Sequence, residues 1–209
     1  MSRPIKRRDL VAILITVAVL LVVVAIPALG RAKQKAARIS CVCHLKQIGL
    51  SFRIWANDNN NLYPTSADYA DPTLRVDALE GRMFRVFQVM SNELSVPKLL
   101  LCPADTRVAA TNWTSFANEN VSYLIGLDAN DTQPNMVLSG DRKLMRDGQL
   151  LSGVVSLGTN SPVAWTKEMH RQSGNIGLAD GSVQQVTTHL LRQQLANSGD
   201  STNLLVFPQ

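Results

Sequence analysis

Residues 10–29, LVAILITVAVLLVVVAIPAL, hold no charged side chain and a single hydroxyl, that of Thr16. A helix of that length rises about 30 Å, the thickness of a bilayer's hydrocarbon core, and it satisfies its own backbone groups where there is no water to do so. The stretch is therefore expected to be a membrane anchor. Pro27 removes one intrahelical hydrogen bond and is expected to kink the helix near its far end. Residues 30–38, GRAKQKAAR, are nearly all good helix formers, so the same helix is expected to continue into water. What is left after the anchor and this extension suffices for one soluble domain of ordinary size.

The formal charge of +5 is unevenly distributed. Residues 1–56 carry ten Lys and Arg against Asp9 alone, whereas the rest carries eleven against fifteen Asp and Glu. The basic character thus belongs to the segments flanking the apolar run, where anionic headgroups attract it, and the mildly acidic domain offers nothing to a nucleic acid. Four basic residues precede the run (Arg3, Lys6, Arg7, Arg8) and four follow it closely (Arg31, Lys33, Lys35, Arg38), so the positive-inside count is a tie. A short basic tail before an apolar segment also opens secretory signals, which favours a cytoplasmic tail and a translocated domain. The run is longer than a signal-peptide core, and Ala28-Leu29-Gly30 is a poor cleavage site, so retention is expected.

In residues 36–56 the apolar side chains Ile39, Val42, Leu45, Ile48, Phe52 and Trp55 recur at intervals of three and four, the stripe of an amphipathic helix. It ends in Asn57-Asp58-Asn59-Asn60-Asn61, with Pro64 beyond. Residues 67–82 read as loop and 83–94 as a short helix. Short runs bounded by turn residues follow, expected as strands at 98–102, 121–126, 136–139, 162–165, 174–179 and 182–186. The last two flank Asp180-Gly181, a signal for a two-residue type I′ hairpin turn. Residues 189–196 look like a closing helix, and 198–209 like a tail or edge strand. The fold class is α+β: a long helix whose amphipathic half lies against one apolar face of a small antiparallel sheet.

Three constellations invite chemistry. His170 and Asp180 have the residue types of a general base and its orienting carboxylate, but no nucleophile elbow, phosphate loop or carboxylate pair accompanies them. The expectation is a structural hairpin and a non-enzymatic protein. Cys41, Cys43, His44 and Cys102 are metal-ligand types, yet residues two apart on a helix point about 200° from each other, so Cys41 and Cys43 cannot share an ion while the helix persists. A disulfide from one of the two helix cysteines to Cys102 in an oxidising compartment is expected instead. Asp128, Asn130 and Asp131 place oxygen atoms at a spacing that calcium accepts, although an Asx turn needs the same residues, and no other cofactor is indicated.

Together these pieces resemble a type IV pilin-like protein, in particular a pseudopilin of type II secretion. The matching residues are Ile26-Pro27-Ala28-Leu29-Gly30-Arg31-Ala32-Lys33, Cys41, Leu45-Lys46-Gln47-Ile48-Gly49-Leu50, Trp55-Ala56-Asn57-Asp58-Asn59, Tyr63-Pro64 and Cys102-Pro103-Ala104-Asp105. His170, nine residues and then Asp180-Gly181 complete the spacing that names the family's C-terminal region, here about 160–190. The resemblance implies a cytoplasmic tail (1–9), a transmembrane helix (10–29), its amphipathic extension (30–56) and a pilin-like domain (57–209). It implies a single pass through a bacterial inner membrane with the domain in the periplasm, Cys41 as the partner of Cys102, and a filament subunit acting with other pilin-like subunits and an assembly platform. The alternative is a tethered periplasmic binding module that does not assemble. Pilin-like leaders end in Gly before an aromatic residue and a Thr-Leu-Ile-Glu run, whereas Arg7-Arg8-Asp9-Leu10 stands here, with Asp9 next to the position of the family's glutamate. Peptidase processing is accordingly not expected.

Overall fold

The computed structural model describes residues 7–209; residues 1–6 of the basic tail and the side chains of Asp9 and Ala12 lie outside the described part. Helix α1 (Arg7–Asp58) runs unbroken through Pro27. The chain divides into two compact units after Ala37. In the first unit, every large apolar side chain between positions 10 and 29 is at least 50% exposed, and α1 is long and apolar enough to cross a membrane. The second unit starts at Arg38 and so takes in the later part of the amphipathic extension, because the last five turns or so of α1 belong to its core.

The face of α1 that is buried is formed by Cys41, Leu45, Ile48, Phe52 and Ala56. It is rotated from the expected stripe: Ile39 is 52% exposed, while Cys41 is fully buried. Residues 67–82, expected as loop, contain helix α2 (Thr73–Leu79), entered through an Asx turn in which the Thr73 N–H donates to Asp71 Oδ1. Helices α3 (Phe84–Val89) and α4 (Ser91–Leu94) fill the expected helical region. Residues 98–102 are not a strand. Pro97 opens a 3-10 turn (Pro97–Leu100), since its fixed φ and missing N–H suit a helical first position better than a ladder.

Nine strands follow: β1 (Tyr123–Gly126), β2 (Val137–Asp141), β3 (Leu144–Arg146), β4 (Gln149–Leu150), β5 (Gly153–Ser156), β6 (Val163–Trp165), β7 (Ser173–Leu178), β8 (Val183–Thr187) and β9 (Leu204–Phe207), with helix α5 (Thr188–Ala196) between the last two. The main sheet has the order β5-β9-β1-β2-β7-β8 and is antiparallel throughout, and β4-β3-β6 form a smaller sheet. The C-terminal segment is thus an interior strand, not a tail or an edge.

Alternation along the strands separates two cores. Tyr123 and Ile125 of β1, Leu138 of β2 and Val206 of β9 join the buried face of α1 with Val86, Phe87 and Met90. Leu124, Val137, Leu205 and Phe207 point the other way, onto Leu191 and Leu195 of α5 and onto Leu144, Val163 and Trp165 of the small sheet. The main sheet is therefore covered on both faces, and the expectation of a single apolar face is corrected. Phe52 sits at the middle of the first core, edge-on to Tyr63 at 5.4 Å and to Phe87 at 6.4 Å.

Candidate functional site

Asp180-Gly181 caps the β7–β8 hairpin, but not as a two-residue type I′ turn. Gly181 N–H donates to the Leu178 carbonyl and Leu178 N–H to the Ser182 carbonyl, and Gly181 (φ +83°) is in the left-handed region while Asp180 is not. The result is a three-residue loop, a tight turn followed by a glycine. Asp180 Oδ1 accepts from the Ser182 N–H. The turn is clamped to α1: a Cβ on Gly49 would lie 3.2 Å from Gly181 Cα, Arg53 Nη1 donates to the Asp180 carbonyl at 3.0 Å, and Tyr63 Oη donates to the Ala179 carbonyl at 2.8 Å. Gly181→Ala should cost about 1–2 kcal/mol through the left-handed strain alone, read as a lowered urea midpoint with an unchanged m-value.

His170 does not meet Asp180. Its ring is directed into the core by a loop in which Met169 (φ 60°), Arg171 (φ 55°) and Gln172 (φ 60°) all hold left-handed conformations, each strained for a residue with a Cβ. The Ser173 hydroxyl, donating to the His170 carbonyl at 2.6 Å, and Gln172 N–H, donating to the Thr166 carbonyl at 3.0 Å, secure that loop. His170 Nε2 lies 3.4 Å from Asp141 Oδ2 and 3.5 Å from Cys102 Sγ.

Cys102 is bonded to Cys41, with their Cα atoms 5.2 Å apart, and Cys43 is free and exposed. His44 turns to the Leu101 carbonyl, 3.0 Å from its Nδ1, so Cys43 and His44 share no site with the buried pair. Burial, and secondarily the charge of Lys98, pushes the His44 pKa down against that hydrogen bond.

Asp141, at the end of β2, was not among the residues singled out in the sequence. Its Oδ2 accepts from the Asn175 backbone N–H at 2.7 Å and from Asn175 Nδ2 at 2.9 Å, while its Oδ1 has no hydrogen-bond partner among the described residues. Burial pushes its pKa up to about 7, opposed by the Asn175 hydrogen bonds and the charge of Arg38. Burial, with Arg38 second, pushes His170 down to about 4, so at neutral pH the imidazole is uncharged and its contact with Asp141 is not an ion pair. In the sequence, Gly140-Asp141 has the composition of a turn. The local signal was an acid closing an otherwise apolar run.

Beside the cluster, Arg142 grips Asp105 with two bonds, Nε to Oδ2 at 2.7 Å and Nη2 to Oδ1 at 2.8 Å, and the Asp105 side chain is 1% exposed. Burial acts to raise the Asp105 pKa, but the hydrogen bonds and charge of Arg142, together with hydrogen bonds from Ser122 and the Thr106 N–H, outweigh it, and the net shift is downward. A carboxylate depressed in this way contributes stability above its unfolded pKa, and that contribution is lost as pH falls through the folded value. Arg142→Ala, which leaves the carboxylate buried and unpaired, is expected to cost about 3 kcal/mol at pH 7 and less on acidification, measured by urea unfolding across pH.

Asp128 Oδ1 accepts from Arg75 Nη2 at 2.6 Å, Asn130 Oδ1 accepts from Thr132 Oγ1 at 2.5 Å, and Asp131 is exposed. Asp128 is thus paired with Arg75. By contrast, Cys41, Cys102, Asp141 and His170 have their ligand-type atoms within 4.8 Å of one another. No family model, curated protein or solved structure matches the chain. His170 closes over the bond between α1 and the end of the 3-10 turn, and Asp180-Gly181 rests on α1 two turns further along.

Proposed function

We propose that this chain is a non-enzymatic structural subunit of a pseudopilin-like periplasmic filament. Residues 10–29 hold it in a bacterial inner membrane, with a cytoplasmic N-terminus and a periplasmic domain. The observation that carries this reading is the division of α1. Residues 10–29 are apolar all round and exposed, whereas from Arg38 one face is buried and the opposite face still presents Ile39, Leu50 and Ile54 together with the thiol of Cys43. At 100° per residue these four positions fall within about 60° of arc, a stripe suited to the helix of a neighbouring subunit. Its partners are the lipid bilayer, other pilin-like subunits and a secretion or pilus assembly platform.

The mechanism is mechanical. A motor that draws on the anchor must move the domain with it, and the Cys41–Cys102 bond, the Arg53 contact with the Asp180 carbonyl and the Tyr63 contact with the Ala179 carbonyl all join α1 or its exit loop to the sheet domain. Oxidation of intact membranes should convert the chain to a disulfide-linked dimer through Cys43, and Leu50→Glu with Ile54→Glu should abolish that product. A chain that remains monomeric throughout supports a tethered module that does not assemble, and overturns the proposal.

A further inference from the structure

We propose that Cys41, Cys102, Asp141 and His170 form a site for one zinc-class divalent cation when the bond between the two cysteines is reduced. Two thiolates, an imidazole and a carboxylate are a donor set that zinc accepts in tetrahedral geometry. With bonds of about 2.0–2.2 Å to nitrogen and oxygen and about 2.3 Å to sulfur, the edges of such a tetrahedron measure roughly 3.3–3.8 Å. The Asp141 Oδ2 to His170 Nε2 separation of 3.4 Å and the His170 Nε2 to Cys102 Sγ separation of 3.5 Å already have that length. The two sulfur atoms must move apart, which reduction permits, and all four ligand-type atoms already lie within 4.8 Å of one another.

The four ligands come from α1, the segment after the 3-10 turn, the end of β2 and the loop before β7, and none is more than 6% exposed. Their surroundings are those of a prepared site. Two N–H groups of Asn175 fix the Asp141 carboxylate, as outer partners fix metal-binding side chains, and three left-handed residues aim His170 inward. The Asn175 bonds both go to Oδ2, and the buried Asp141 Oδ1 has no partner among the described residues. Thiolate ligands select zinc, cobalt or cadmium over magnesium and calcium.

The chemistry balances. A dithiol or phosphine reductant delivers two electrons and two protons to the disulfide, giving two thiols, and the entering cation displaces both thiol protons to the buffer. Disulfide and cation are then alternative fastenings between α1 and the sheet, selected by the thiol redox state.

The test uses the full chain in detergent, reduced with a phosphine under anaerobic conditions and titrated with Co²⁺. The expected result is one equivalent bound, with a sulfur-to-cobalt charge-transfer band and the strong visible bands of tetrahedral cobalt, displaced by Zn²⁺ and absent from the oxidised chain. Asp141→Asn, which keeps an acceptor oxygen for Asn175, and His170→Ala should each weaken binding by about 100-fold or more. Cys43→Ser should leave the spectrum unchanged. In parallel, Zn²⁺ should raise the Tm of the reduced chain and leave that of the oxidised chain where it was. A reduced chain that gives no tetrahedral spectrum and no zinc-dependent rise in Tm, or a spectrum that depends on Cys43 instead of Asp141 and His170, would overturn the proposal.

Discussion

Replacing Val19 and Leu20 together by arginine should release the chain from the membrane. Both lie at the middle of residues 10–29, with side chains 57% and 70% exposed, so no protein surface shelters a charge placed there. An arginine near the bilayer centre costs roughly 2.5–3.5 kcal/mol on insertion scales, and two cost about 5–7 kcal/mol, enough to offset much of what the apolar run gains. The assay is the fraction of chain that sediments with membranes after an alkaline wash. It should be nearly complete for the natural chain and small for the double variant. The second unit should not register the change. Its core begins at Arg38, and its urea midpoint is expected to be the same in both proteins. A variant that stays in the washed membranes would mean that something other than this helix holds the chain there.

The second large effect is on the domain. Cys41 and Cys102 are 61 positions apart, and closing a loop of that length removes about 4 kcal/mol of chain entropy from the unfolded state. Domains of this size are stable by only about 5–15 kcal/mol in total, so Cys102→Ser should remove a large share of the margin. Cys41→Ser should cost a similar amount, and the double substitution little more than either alone, because both remove the same link. Cys43→Ser should cost almost nothing, since that side chain is exposed. Urea unfolding of the four variants at one pH decides the matter. A loss below about 1 kcal/mol for Cys102→Ser would show that the unfolded chain is already constrained near these residues.

Much of the architecture was legible because the signals were local. The uncharged run of residues 10–29 announces its helix, Phe84 and Phe87 mark the helix that begins at 84, and the apolar segments before and after Asp180-Gly181 mark β7 and β8. The failures have physical reasons. β4 is two residues long and exposed, and β3 and β5 are three and four residues, too short for a period of two to emerge. Helix α2 follows Asp71-Pro72, a start signal outweighed by the polar loop before it. Residues 204–207 are apolar without interruption, as expected of a strand covered on both faces, yet their position at the chain's end suggested an edge.

At the site, the cysteines and His170 stand out as residue types, but Asp141 becomes meaningful only when β2 is laid beside β7 and Asn175 reaches it. That pairing joins positions 34 apart, which no spacing rule connects. Asp180 is near His170 in the chain but not at its ring. The sheet brings a different carboxylate there.

The functional reading depends on packing of the outward face of α1, beyond the membrane-spanning residues, against further subunits. A photo-reactive phenylalanine analogue at Leu50, 57% exposed on that face, tests it in intact membranes of the native host. A ladder of cross-linked species extending beyond the dimer is expected, containing this chain and the proposed partner subunits, and no ladder from the same analogue at the buried Phe52. Irradiation that leaves only the monomer at Leu50, in membranes where the chain is shown to be inserted, would contradict it.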